Sequence, residues 1–135
     1  MSYGVTAALQ TAVYQALAAD PVISRLVGAA VYDAVPPGTL AGTYVSLGPE
    51  DVQDASDKTA GGARHDFVVS VVTSEAGFSQ AKEVAAAVSD VLCGADLGLS
   101  RGRLVGIWFL KAQARRVEKV NQRRIDITFR ARVED

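Results

Sequence analysis

Apolar positions along this chain switch between two periods, and the switches mark its elements. Over residues 4–19, Val5, Leu9, Val13 and Leu17 recur at helical spacing with Ala12 and Ala16, which predicts an amphipathic helix. Asp20-Pro21 ends it, because a residue before proline is pushed out of the α region. Asp20 then caps a short second helix with Pro21 at its first position. Val22, Ile23, Leu26 and Val27 face inward in that helix, and Gly28 stops it. Residues 30–34 predict a short strand closed by Val-Pro-Pro-Gly. Residues 43–47 predict a second strand, which stops at Gly48-Pro49. The densest β-branched run is 64–73, Arg-His-Asp-Phe-Val-Val-Ser-Val-Val-Thr. Phe67, Val69 and Val71 point to one side of it and Val68 and Val72 to the other, the pattern of a central strand covered on both faces.

Between those two strands, residues 50–63 hold little that can be buried, and Gly61-Gly62 closes the segment. A structureless connection of this length is uncommon in a compact domain. It reads as a mobile arm that orders against a neighbour. After a turn at 74–77, Ala81, Val84, Ala85, Val88, Val91 and Leu92 form the stripe of a helix ending at Cys93, with Gly94 as its left-handed stop. Residues 104–117 predict a strand bent at Gly106. The last strand, 123–133, alternates most cleanly. Ile125, Ile127, Phe129, Ala131 and Val133 face in, and Arg124, Asp126, Thr128, Arg130 and Arg132 face out. Residues 118–122 turn these two strands into a hairpin.

The order α-α-β-β-β-α-β-β predicts an α+β domain spanning 1–135, with a mostly antiparallel sheet and helices packed on it. A mixed sheet stays open, since the helix between the third and fourth strands can support one parallel crossover. At 135 residues, with 49% apolar and 21% charged positions, the chain has material for one core. No apolar run approaches the roughly 18 residues that span a bilayer, and the first residues lack the basic region of a signal peptide. The expectation is a cytoplasmic product with no membrane partner.

The net charge of −1 conceals a polarity. Ten of the fourteen basic residues lie between Arg101 and Arg132, whereas 50–57 carries Glu50, Asp51, Asp54 and Asp57 with no base. Arg124, Arg130 and Arg132 share one side of the last strand, with Arg115 or Arg116 and Lys111 across from them. The polarity fits a head-to-tail contact between copies, basic hairpin against acidic arm. The contact residues expected are Glu50, Asp51, Asp54, Asp57, Lys58, Arg64, Arg115, Arg116, Arg124, Arg130 and Arg132. The alternative is a small nucleic-acid-binding module that tracks phosphates with the basic hairpin, although no stacking aromatics are interleaved with those arginines.

Catalytic chemistry is not advertised. One histidine and one cysteine cannot build a zinc site. His65 and Asp66 are adjacent in a strand and point to opposite faces, so His65 reads as an ordinary strand-end residue. Cys93 reads as a small buried hydrophobe. The glycines fit no phosphate loop, and the acidic run lacks calcium-loop spacing. Of Trp108 and Phe109, one is expected in the core and the other at an interface.

Several short segments, in order, carry a resemblance. They are Ala19-Asp20-Pro21, the run Val31-Tyr32-Asp33-Ala34-Val35-Pro36-Pro37-Gly38, Tyr44-Val45, Leu47-Gly48 and Lys58-Thr59. Ala81-Lys82, Gly102-Arg103-Leu104-Val105 and Phe129-Arg130-Ala131 complete them. In these the chain resembles the tail terminator, or tail completion, proteins of long-tailed bacteriophages and gene transfer agents. It departs at Thr73, near where relatives often carry tryptophan. The resemblance implies a structural subunit without catalysis or cofactor. It also implies a homo-oligomeric ring, a hexamer, at the head-proximal end of a tail tube. That ring would contact the tube protein and the head connector and let DNA pass through its lumen without sequence-specific binding. Assembly would begin in the bacterial cytoplasm and end in the particle.

Overall fold

The computed structural model describes residues 3–38, 41–58 and 61–135. The elements follow the predicted order: α1 (Thr6–Ala19), α2 (Pro21–Val27), β1 (Val31–Tyr32), β2 (Thr43–Asp54), β3 (Gly62–Thr73), α3 (Ser79–Leu92), β4 (Arg103–Val117) and β5 (Gln122–Glu134). A single 3-10 turn, Glu118–Val120, joins β4 to β5.

The strands form one five-stranded sheet in the order β1-β2-β3-β5-β4. Only β1 and β2 pair in parallel; β2–β3, β3–β5 and β5–β4 are antiparallel. The sheet is therefore mixed, but the parallel ladder lies at β1 and not beside α3. The crossover β3–α3–β4 does join strands that run the same way, and β5 is inserted between them, so the unit is a split βαβ.

β3 is the central strand. Helices cover only one of its faces, however. Val45, Phe67, Val69, Val71, Ile125, Ile127 and Phe129 meet Leu9, Val13, Leu17, Ile23, Val84, Val88 and Leu92 in one core. On the opposite face Ser70 and Val72 are also buried, closed over by side chains of the sheet itself. The Ser70 hydroxyl donates to Asp126 at 2.7 Å and accepts from Arg124 at 3.1 Å. Valine on both sides of a strand marked its central position but overstated its cover.

Local signals explain the helix ends. The Asp20 carboxylate accepts from the amides of Val22 and Ile23 at 3.1 and 3.0 Å, the cap expected ahead of Pro21. Val22, read as inward, is exposed, because a seven-residue helix presents one narrow stripe and Ile23 fills it. α3 ends with Gly94 at φ +72°, a conformation that costs other residues, and the Gly94 amide donates to the Ile107 carbonyl at 2.8 Å. Cys93 is exposed, contrary to the buried reading; its Sγ accepts from the Phe109 amide at 3.3 Å.

The largest correction concerns 50–63. β2 does not stop at Gly48-Pro49. One extra residue forms a bulge between Leu47 and Glu50, and the ladder resumes from Glu50↔Phe67 to Asp54↔Ala63. A proline is tolerated there because a bulge leaves its residue unpaired. The acidic segment is thus half strand, and β2 and β3 are the two arms of a long hairpin. Gly62, read as closing the polar segment, is instead the first residue of β3. A Cβ there would lie 3.0 Å from the Val133 carbonyl oxygen and 3.2 Å from that of Ala55, so close backbone approach explains this glycine. Thr59 of the Lys58-Thr59 segment lies outside the described residues.

Candidate functional site

The bulge in β2 shifts the alternation by one residue, so Glu50 faces the helices, level with Phe67. There the Glu50 carboxylate accepts from the Tyr3 hydroxyl at 2.6 Å and the Thr6 hydroxyl at 2.5 Å, and lies 3.3 Å from His65 Nδ1. Burial pushes the Glu50 carboxyl up, but the bonds from Thr6, Tyr3 and His65 outweigh it and hold the group below the ordinary glutamate range. The Tyr3 ring stacks on the His65 imidazole at 6.4 Å. His65 is fully buried on the core face of β3, not at a strand end, and its Nε2 has no hydrogen-bond partner among the described residues. These four residues fasten the acidic hairpin beneath the start of α1. Tyr3 and Thr6 were missed because contacts across more than forty positions leave no periodic trace.

On the face without helices, the charges pair within the subunit. Arg130 grips Asp66 across the β3–β5 ladder with two bonds of 2.8 and 3.0 Å, which lowers the Asp66 carboxyl and raises the guanidinium. Arg124 bonds Asp126 at 2.8 Å, and Arg115 approaches the same carboxylate at 3.7 Å. Burial pushes Asp126 up, yet the bonds from Ser70 and Arg124 prevail and its carboxyl is held low. Arg132 donates to the Ala55 carbonyl at 3.2 Å, and Arg64 bonds Gln53. Asp54 accepts from the Ser56 hydroxyl at 2.7 Å, which shapes the hairpin tip.

The expected contact residues therefore separate into groups. Glu50, Arg124, Arg130 and Arg132 hold this subunit together. Asp51 and Asp54 lie on the exposed end of β2, and Asp57 and Lys58 lie on its tip. Arg115 and Arg116 are exposed on β4, on opposite faces, opposite Arg124 and Arg123 respectively; Lys111 shares the side of Arg115. The acidic and basic tips stand at opposite ends of the sheet, since Gly62 pairs with Glu134 while Val117 pairs with Gln122.

The edge strand β4 adds an apolar surface. Trp108, Phe109 and Leu110 are 41%, 43% and 38% exposed, so neither aromatic is a core residue. Phe109 only leans edge-on against Phe129, at 6.4 Å. From 108 to 116 every residue is exposed, because α3 does not reach this half of the hairpin. No group of His, Cys, Asp and Glu able to hold a metal occurs among the described residues, and no helix is long and apolar enough to cross a membrane.

Residues 11–134 match the family described as tail completion protein gp17. The chain belongs to that family. It is a structural protein with a tail-completion role, not an enzyme. Its fold superposes with a TM-score of 0.93 on a chain of 73% sequence identity, over 99% of this chain and 100% of that one. That structure is described as the virion of a native gene transfer agent particle. No curated protein matches.

Proposed function

We propose that this protein caps the head-proximal end of the tail tube of a phage-like particle as a ring. The ring stops further tube polymerisation and offers its other side to the head connector, and DNA passes through its lumen. The subunit is made in the bacterial cytoplasm and is carried into the particle, as a gene transfer agent or a phage. The observation that carries this reading is the full-length likeness to a chain of a gene transfer agent virion at 73% identity. The exposed apolar edge of β4 supports it, because a monomer gains nothing by leaving three large side chains in water. Purified protein mixed with tail tubes and viewed by electron microscopy tests it. Density closing one tube end is expected, and open ends that continue to grow would overturn it.

The nucleic-acid reading is weaker, because the Arg124 and Arg130 guanidiniums are occupied by Asp126 and Asp66. A steep log-linear loss of DNA binding with salt would revive it.

A further inference from the structure

The sheet has two open backbone edges of opposite charge. Among the described residues β4 pairs with β5 alone, and beyond Phe109, where Gly94 and Cys93 bond its backbone, its outer edge is free. Among the described residues β2 meets β1 at Val45 and Ser46 alone, so residues 48–54 form a second free edge. Beyond the bulges that disturb the first half of β4, residues 111–117 run regularly against β5. The two free segments are equal in length. One presents Lys111, Arg115 and Arg116, and the other Asp51 and Asp54.

We infer that residues 111–117 of one copy pair antiparallel with residues 48–54 of a second copy, so that the sheet continues from subunit to subunit. The strand directions require this sense: β2 and β5 run one way and β3 and β4 the other, so a neighbour's β2 added in the same orientation is antiparallel to β4. Setting Arg115 level with Asp51, both on the face without helices, puts Ala112 level with Asp54 and Val117 level with Pro49. Opposite charges then face each other along the seam. Because the two segments lie at opposite ends of the sheet, successive copies are staggered along the strands, and stagger with strand tilt is what a sheet needs in order to close on itself. The contact is heterologous and leaves no long edge exposed once closed.

The inference rests on the ring reading only for closure; pairing between two copies stands without it. The test uses full-length chains. One carries Lys111→Glu with Arg115→Glu, the other Asp51→Lys with Asp54→Lys, and circular dichroism first confirms that each folds. Each alone places like charges across every seam. In cells making the particle without the unaltered chain, each alone should lower the yield of completed particles by roughly tenfold or more, the factor that about 1.4 kcal/mol produces. Made together they restore complementary seams in alternation, and yield should recover. A second chain, with Cys93→Ser, Arg115→Cys and Asp51→Cys, should give disulfide-linked copies on oxidation, in concentrated protein or in particles. Single variants that assemble normally, a mixture no better than either, or absent linkage would each overturn the pairing. Linked copies that never cap tubes would sink the capping reading alone, and capped tubes without linkage the pairing alone.

Discussion

One row of side chains on the helix-covered face crosses the sheet and ends very differently on its two sides. It runs Glu50, Phe67, Phe129, Phe109. On the β2 side the row begins with a carboxylate bound by Tyr3, Thr6 and His65 beneath α1. On the β4 side it ends with an aromatic ring 43% exposed and no helix above it. The charged end is fastened, and the apolar end is bare. Polarity of a residue type does not say which end serves folding and which serves assembly; the cover does. A partly buried carboxylate needs partners and finds them within the subunit, whereas an exposed ring is stable in water only at a cost that association removes.

The strongest way to break the row is at its middle. Phe129 is fully buried and stacks on Phe67 at 5.8 Å while taking the edge of Phe109 at 6.4 Å. Phe129→Ala should cost about 3–5 kcal/mol, through lost transfer energy and the cavity left behind. The urea midpoint measures it, and the variant should give no completed particles because both hairpins lose their common support.

At the fastened end, Glu50→Ala should cost about 1–2 kcal/mol at neutral pH, since it removes the shared acceptor of two hydroxyls and leaves the buried His65 without its partner. The pH dependence follows from the lowered carboxyl. The unfolded chain takes up the proton first, so the contribution of Glu50 is complete above the ordinary glutamate value of about 4.3. It is lost as pH falls through the lower folded value. Denaturation curves for wild type and variant should therefore converge in acid. A gap as wide at pH ~3 as at neutrality would show that Glu50 acts by packing alone.

The face without helices gives a smaller effect. Ser70→Ala removes a buried hydroxyl that bridges Asp126 and Arg124, which still hold each other. A loss of about 1 kcal/mol is expected by thermal melting, with assembly unchanged.

Periodicity made the element order, the central place of β3 and the caps at Asp20 and Gly94 legible, because each depends on neighbours in sequence. The alternation of β5 held from Arg124 to Val133 for the same reason. What escaped notice depended on a bulge. One extra residue at 48–49 turns a polar arm into strand and swings Glu50 inward, and no pattern of polar residues distinguishes a strand end from a bulged continuation. The charge polarity was visible, but its division was not. Arg130 looked free because Asp66 sits more than sixty positions away, whereas the partner of Arg124, Asp126, stands two positions along the same side of β5. Likewise Trp108 and Phe109 promised one core residue, and only the reach of α3 shows that both are left outside.

The bare end supplies the smallest effect on stability and the sharpest test of the comparison. Trp108 and Leu110 contribute little to this subunit's own core, so Trp108→Ser or Leu110→Ser should change unfolding free energy by no more than about 0.5 kcal/mol. If their exposure serves folding through some unseen contact, the melting temperature will fall with the loss of either side chain. If it serves assembly, melting will stay put while completed particles decline, because large apolar and aromatic anchors carry a disproportionate share of contact energy. The charge-swapped seam should not rescue such a variant, since it restores pairing along 111–117 and leaves the apolar patch bare. A particle defect without a stability defect would place the working surface of this tail-completion subunit on β4. A stability defect of the same size as the particle defect would return Trp108 and Leu110 to the fold and erase the contrast between the two ends of the row.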